Sequence, residues 1–321
     1  MKRVARTAVT GVIQRGGINV KFTKEALESI GNTDSASAIP ITPEHDPFCM
    51  PIGKVESTWI EAYGEEHAAM AQLHIEEEYQ KITHIGTETP LVLLHFKDSP
   101  KPFVRGFNDL DEVQLTVCTD LANFSSNMDH SEFLADVSDI DAEAKSKIIG
   151  RHSLVPEPIL QFLISNPELS TALGITTLWT GKRVERFLRY TVDQTLQKIG
   201  DDIADSLSGK IRKILTSYKS RKSPDDRPVL VQVVIVGETD FVLLDRVPNE
   251  QEVSPIDLQE LVSAIERYGD LLEIAQEVTF ARSESGDWEF QYLKTRQGQV
   301  IGTLACQERT VQTYQEQGRN D

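Results

Sequence analysis

The sequence predicts an α+β protein with a small, mostly antiparallel β-barrel or β-sandwich first, then a long central helix and a small C-terminal α+β domain. Over residues 1–125, short runs of alternating apolar residues follow one another between polar turns, a spacing typical of barrels and sandwiches. Apolar residues then recur at steps of three and four from Val184 to Tyr218, which is the period of a helix. After residue 226, apolar runs flank one amphipathic stretch, which favours a helix packed on a sheet.

The domain of residues 1–125 opens with a predicted β-hairpin. Its strands are Arg3 to Val12 and Ile18 to Phe22, and the paired glycines between them suit a tight turn. Thr23 can cap a helix of about two turns that ends at Gly31. The further strands of this domain are predicted at residues 52–63, 68–76, 91–96 and 113–119.

Residues 126–180 form a predicted acidic linker with short helices. The acid-rich part, residues 126–150, fits either a solvated, mobile arm or a surface helix. Prolines then punctuate two short predicted helices, Ile159 to Ile164 and Glu168 to Leu173.

A long amphipathic helix is predicted over residues 181–222, as one helix or two collinear ones. Its apolar stripe must be covered either by a domain surface or by a partner helix in a coiled coil. We therefore expect self-association into a homo-oligomer through residues 184–218.

The C-terminal α+β domain is predicted over residues 226–310. Its first strands are Val229 to Val236 and Phe241 to Leu244, followed by a helix from Pro255 to Ile274. A meander of strands at residues 278–282, 288–295 and 300–306 completes the sheet. The polar tail, residues 311–321, is predicted to be disordered.

Composition narrows the classes of function. No apolar run reaches the roughly 18 residues of a membrane span, and the N terminus does not look like a secretory signal. We therefore expect a cytoplasmic protein. Its 3 cysteines lie far apart without metal-ligand spacing, and no glycine-rich phosphate loop occurs, so neither a metal nor another cofactor is expected.

A net charge of −17 disfavours general nucleic-acid binding. The exception is the basic segment, residues 211–222, which contains no acid. Nucleic-acid binding would require aromatic stacking partners or a second basic surface, and only Tyr218 is available here. An acidic protein partner, or the acidic arm of residues 136–143 in the same chain, is favoured instead.

One stretch carries a recognisable motif. Glu44-His45-Asp46, followed by Pro51-Ile52-Gly53-Lys54-Val55, resembles the histidine signature of the phage prohead maturation protease family. Downstream, Asp111 to Val117 followed by Ala122-Asn123 is similar to the acid-then-strand segment of that family. The resemblance covers about residues 1–125 and implies a serine endopeptidase with a small barrel-like fold.

The resemblance assigns His45 as general base and Glu112 as the acid that orients it. The family nucleophile is a serine on the strand between them, and this chain has no serine from Pro90 to Phe96. Ser99 is the nearest substitute, although a serine directly before a proline commonly shapes a turn. Without its nucleophile, a serine protease retains only a residual rate.

Two functions follow. The first is a non-catalytic binding or assembly protein with protein partners, in which the protease-like domain is degenerate and which serves a phage or an anti-phage defence system. The alternative is a serine endopeptidase of the prohead type with a displaced nucleophile.

Overall fold

A computed structural model describes a mixed α+β protein. It covers residues 2–9, 11–15, 18–22, 24, 36–43, 46–64, 66–76, 78–83, 90–99, 101–104, 115–119, 123–148, 159–164, 194–221, 229–236, 239–246 and 267–320. Two compact units divide the chain. Unit 1 comprises Met1–Gly106, Gly150–Pro156 and Gln291–Asp321, and unit 2 comprises Phe107–Ile149 and Glu157–Phe290.

The described part of unit 1 is built from antiparallel strands and one helix. The strands of one sheet, in the order β1-β6-β5-β4, are β1 (Lys2–Val9), β4 (Ile39–Ile41), β5 (Gly53–Tyr63) and β6 (Glu66–Ile75). A separate hairpin consists of β2 (Gly11–Arg15) and β3 (Ile18–Phe22). The remaining strands of the unit are β7 (Gln80–Ile82), β8 (Leu91–Leu94), the part of β15 (Trp288–Thr295) from Gln291 onward, and β16 (Val300–Thr303).

The first predicted strand, Arg3 to Val12, is two strands in the structure. Its first part, β1, pairs with β6 from Lys2 opposite His74 to Val9 opposite Ala68. Its second part, β2, forms the hairpin with β3. The local turn signal therefore identifies the hairpin, whereas β1 pairs with a strand about sixty residues away.

Unit 1 also contains the end of the chain, because β16 pairs antiparallel with β8. The antiparallel pairing of β15 with β16 agrees with the predicted C-terminal meander, whereas the pairing of β16 with β8 is not part of that prediction. A buried apolar cluster joins both parts of the chain within this unit: Met50, Val92, Leu94, Phe96, Phe103, Tyr292, Val300 and Cys306.

The C-terminal helix of unit 1, α4 (Leu304–Asn320), begins directly after β16. The structure differs from the sequence prediction in two places, the end of the last strand and the polar tail. The last strand stops at Thr303, and the tail expected to be disordered is helical as far as Asn320. Cys306 and Thr310 are fully buried, so tertiary contacts stabilise a helix whose exposed face is polar.

The described strands of unit 2 run in the order β10-β9-β11-β12-β13-β14-β15. They are β9 (Leu115–Thr119), β10 (Lys145–Ile148), β11 (Ile159–Ile164), β12 (Val229–Val236), β13 (Thr239–Arg246), β14 (Ala275–Arg282) and the first residues of β15. The sheet is mixed, since β11 runs parallel to β12 and antiparallel to β9.

The prediction of a helix at Ile159 to Ile164 is wrong, because this segment is β11. Leu160, Phe162 and Ile164 are fully buried, and Leu163 nearly so. A strand with neighbours on both sides, covered on both faces, is apolar throughout and therefore shows no alternation. The helix predicted at residues 168–173 lies outside the described part of the chain.

The acid-rich segment contains a helix, α1 (Asn127–Ile140), so the surface-helix alternative applies to it. Ser126 caps this helix by accepting a hydrogen bond from the Asp129 N–H (3.1 Å). The helix buries Phe133 and Val137. An acidic composition is therefore compatible with order here, because two apolar residues one turn apart anchor the helix.

The stripe predicted over residues 184–218 is partly described. The helix α2 spans Gln194–Arg221, and a short helix, α3 (Gly269–Leu272), follows later in the unit. The buried side chains of α2 are Leu207, Ile211, Ile214, Leu215 and Tyr218. Tyr218 packs edge-on against Phe124 (5.5 Å between ring centroids) and Phe133 (5.8 Å). This part of the stripe is thus covered by its own unit.

No helix in the described ranges combines the length and apolar character that a membrane span requires.

Candidate functional site

The structure describes one of the three predicted catalytic residues. His45 and Glu112 lie outside the described residues, whereas Ser99 and the signature residue Asp46 lie within them. The site can therefore be built from two described parts of unit 1. These are the loop of residues 46–50, called the signature loop below, and the surroundings of Lys54 at the start of β5.

Asp46 holds the signature loop together locally. Its Oδ1 accepts a hydrogen bond from the Phe48 N–H (2.9 Å), and its carbonyl oxygen accepts one from the Cys49 N–H (3.1 Å). The other carboxylate oxygen lies 3.6 Å from Cys49 Sγ. Asp46 therefore forms a turn of the kind that Asp side chains commonly stabilise.

The helix α4 holds the same loop from outside. Thr310 Oγ1 accepts a hydrogen bond from the Met50 N–H (3.0 Å) and donates one to the Cys306 carbonyl (2.7 Å). The Cys306 thiol donates to the Phe48 carbonyl (3.4 Å). On the strand side, the Tyr292 hydroxyl donates to the Pro47 carbonyl (3.4 Å). Sequence reasoning missed this support, since the partners are more than 240 residues apart.

Two buried thiols lie where α4 meets the loop. Burial raises the pKa of Cys49 to about 12 and that of Cys306 to about 11, and the Asp46 carboxylate adds to both shifts. Cys49 Sγ also lies 3.7 Å from Thr313 Oγ1. A buried thiol with a raised pKa is a poor nucleophile, so neither cysteine is a candidate for catalysis in this conformation.

The signature continues into β5 through Gly53, and the structure gives a reason for a glycine there. A Cβ at this position would lie 2.6 Å from the His74 carbonyl oxygen of the neighbouring strand. Gly53 therefore permits a close approach of β6, which brings Lys54 directly opposite His74.

Lys54 is the most unusual residue of the described part of unit 1. Its side chain has no exposed surface, and its Nζ donates hydrogen bonds to the carbonyls of Ser99 (2.9 Å) and Lys101 (2.6 Å). The Nζ also lies 5.0 Å from the ring centroid of Phe96 and 4.8 Å from that of Phe103, within the range of cation–π attraction.

The charge of Lys54 is costly because its two carbonyl acceptors are neutral. Burial lowers the pKa of Lys54 from its ordinary value of 10.5 to about 8, although Glu56 acts in the opposite direction. A lysine with such a pKa is partly unprotonated near neutrality and is chemically able to serve as a base.

Ser99 lies beside Lys54. Lys54 is not assigned to the candidate site from the sequence, whereas Ser99 is. Its carbonyl accepts the Lys54 hydrogen bond, but its hydroxyl is buried and has no hydrogen-bond partner among the described residues. Only 1% of Ser99 is exposed. The available sequence signal was the lysine of the Pro-Ile-Gly-Lys motif, but sequence alone does not reveal its burial.

His74 completes the buried polar groups of this region. It is 2% exposed, neither of its ring nitrogens has a hydrogen-bond partner in the described ranges, and its Nε2 lies 3.9 Å from Glu76 Oε2. Its ring meets Phe96 edge-on at 6.1 Å. Lys54, His74 and Ser99 together form a buried polar cluster around Phe96.

Within the described residues, no group of three or more His, Cys, Asp or Glu side chains could hold a metal ion.

The basic segment of residues 211–222 has acidic neighbours on α1. Arg221 Nη1 lies 2.6 Å from Asp136 Oδ2, and Lys210, just before the segment, lies 2.8 Å from Asp141 Oδ2. These contacts agree with the acidic arm of the same chain as a partner of this region.

Comparisons with family models, with curated proteins and with solved structures found no match to this chain.

Proposed function

We propose that the chain is a non-catalytic binding or assembly protein with a degenerate prohead-protease-like domain, of barrel or sandwich type, in a phage or an anti-phage defence system. One observation carries the proposal: Ser99, the candidate nucleophile, is 1% exposed. A serine peptidase must present its hydroxyl both to a base and to a substrate. A buried hydroxyl does not meet the second requirement.

The fastening of the Ser99 loop supports the same proposal. Lys54 holds the carbonyls of Ser99 and Lys101, and the Ser99 N–H donates to the Phe96 carbonyl (2.9 Å). Opening this loop would break these hydrogen bonds. Lys54 stabilises this loop, and this role explains why Lys54 is buried without requiring it to take part in catalysis.

Protein partners, including a second copy of the chain, follow from the apolar stripe. Residues 207–218 of the stripe pack within unit 2, so we assign self-association to residues 184–206. Replacing Leu196 and Ile203 together with aspartate should lower the mass measured by light scattering while the circular dichroism spectrum is retained. A wild-type protein that is already monomeric would remove the oligomer from the proposal.

Nucleic acid ranks below protein as a partner, since Arg221 is engaged by Asp136. Filter binding to single- and double-stranded DNA at low and moderate salt tests this ranking. Strong binding that weakens steeply with salt, and that is lost when Arg212, Lys213 and Lys219 are neutralised, would reverse it. The proposed location is the cytoplasm.

The alternative is a serine endopeptidase, and one observation favours it: Ser99 lies beside Lys54, whose pKa is lowered to about 8. An unprotonated lysine can accept the proton of a serine hydroxyl. This arrangement would require the Ser99 loop to open, because substrate has no access to the closed form.

Active-site labelling separates the two functions. The purified protein is incubated at high concentration with and without a fluorophosphonate, and both labelling and self-cleavage are followed by mass spectrometry. We expect neither, in the wild type and in His45→Ala alike. Labelling that is lost in Ser99→Ala but kept in Ser57→Ala, a change at an exposed strand position, would establish the endopeptidase instead.

A further inference from the structure

The helix α4 contacts the signature loop through hydrogen bonds between its side chains and main-chain groups of the loop, made by Cys306, Arg309 and Thr310. Thr313 Oγ1 also lies 3.7 Å from Cys49 Sγ. Each of these loop groups can exchange its partner for water when the helix leaves. Release therefore does not require any main-chain donor or acceptor of the loop to remain unpaired.

The helix buries few apolar side chains completely, and Val311 and Tyr314 are half-buried. Its described buried side chains are Cys306, Gln307 and Thr310, all small or polar. To the apolar cluster of unit 1 it contributes Cys306, with Leu304 packed beside the cluster. For a segment with few buried apolar contacts, the free energy of local opening is lower than the free energy of unfolding the whole protein.

The start of α4 is tied to the strands. The Leu304 N–H donates to the Pro90 carbonyl (3.1 Å), and Thr303 Oγ1 accepts from the Cys306 N–H (3.1 Å). These bonds give the helix a fixed origin at the end of β16. Motion about this junction would separate the helix from the loop while leaving β16 paired with β8.

We propose that α4 is a releasable latch, which in its docked position fixes the signature loop and on release frees the loop and uncovers its two thiols. The latch controls the segment directly next to His45, whether that segment serves binding or catalysis. The inference thus goes beyond the proposed function and does not depend on it.

The thiols themselves report the state of the latch. Cys49 contacts Thr313 of α4, Cys306 belongs to α4, and both are fully buried. Cys118, on β9 of unit 2, is also buried at 2% exposure and serves as the internal reference. The raised pKa values of Cys49 and Cys306 keep them protonated while docked, so alkylation of either measures release.

The experiment follows iodoacetamide labelling of each cysteine in the native, full-length chain by mass spectrometry. We expect Cys49 and Cys306 to be labelled at one common rate, at least about tenfold faster than Cys118, as local opening requires. Hydrogen exchange on the same sample should show loss of protection at residues 46–50 ahead of β5 and β6. Labelling no faster than that of Cys118, or exchange of β5 and β6 at the same rate as the loop, would overturn the proposal.

Thr310→Val tests the mechanism because it keeps the shape of the side chain and removes the acceptor of the Met50 N–H. We expect labelling of Cys49 and Cys306 to accelerate by about tenfold, the effect of one lost buried hydrogen bond, with Cys118 unchanged. The matched control is Gln312→Ala on the same helix, an exposed position whose side chain bonds to Glu316. Equal rates in the two variants would contradict the latch, and the wild-type measurement stands even if Thr310→Val fails to fold.

Discussion

Replacing Lys54 with methionine should change how the stability of the protein depends on pH. The pKa of Lys54 is about 8 in the folded chain, against an ordinary value of 10.5. Between these values the unfolded chain binds more protons than the folded one, so the free energy of unfolding rises with pH. Below pH 8 both states carry the proton, and the contribution of Lys54 no longer changes with pH.

The size of this effect follows from the shift. A difference of about 2.5 units corresponds to about 3 kcal/mol, at 1.36 kcal/mol per unit. This is an upper limit, because the two carbonyls and the rings of Phe96 and Phe103 favour the charged amine. We therefore expect the wild type to gain between about 1 and 3 kcal/mol relative to Lys54→Met from pH 8 to 10.5.

Urea unfolding followed by circular dichroism at several pH values in this window measures the difference. Subtracting the variant from the wild type removes the contributions of the cysteines and tyrosines, which both proteins share. Lys97→Met, a change in an exposed turn, is the matched control and should run parallel to the wild type. Parallel curves for Lys54→Met as well would refute a buried lysine with a lowered pKa.

Three further predictions concern the rest of the described structure. Gly298→Ala should destabilise by more than about 2 kcal/mol, because φ is +76° and a Cβ would meet the Lys101 carbonyl and lie 2.5 Å from Lys54 Nζ. Gly64→Ala, with φ +63° and nothing within 4 Å of the added Cβ, should cost only about 1 kcal/mol in the same urea titration. Ile214→Ala should cost about 2–5 kcal/mol, since the side chain is fully buried, and light scattering should give the same mass as wild type; a smaller mass would place this residue in a subunit interface. Burial lowers the pKa of His130 below 6.5, so the unfolded state takes up the proton first and the free energy of unfolding should fall as the pH drops below 6.5. If the free energy of unfolding of His130→Phe falls with pH in the same way as that of the wild type, this prediction is contradicted.

Sequence patterns predict the elements whose signals are local. Apolar and polar side chains alternate along residues 71–75 of β6, and a polar turn joins β5 to β6, so both strands can be read without tertiary information. Two other features depend on distant parts of the chain. β11 has six residues and no period, and only its pairing with β9 and β12 makes it a strand. The end of α4 is polar, and its order depends on contacts with a loop about 260 residues earlier.

The candidate site shows the same division between local and distant information. A resemblance to a protease signature can be read from His45, Asp46 and the Pro-Ile-Gly-Lys motif. The burial of Lys54 cannot be read from the sequence, because it results from Phe96, Phe103 and the turn at Gly298 covering the amine. Lysine is normally exposed, so sequence reasoning has no ground to place it in a core.

Three described residues of the signature have structural roles that are independent of catalysis. Asp46 forms the turn of the loop, Gly53 lets β6 approach, and Lys54 fastens the loop that contains Ser99. A chain that needs these three functions to fold would keep the residues after losing a nucleophile. The signature is therefore weak evidence for a peptidase, and access to the Ser99 hydroxyl is the property that decides between an enzyme and a binding protein.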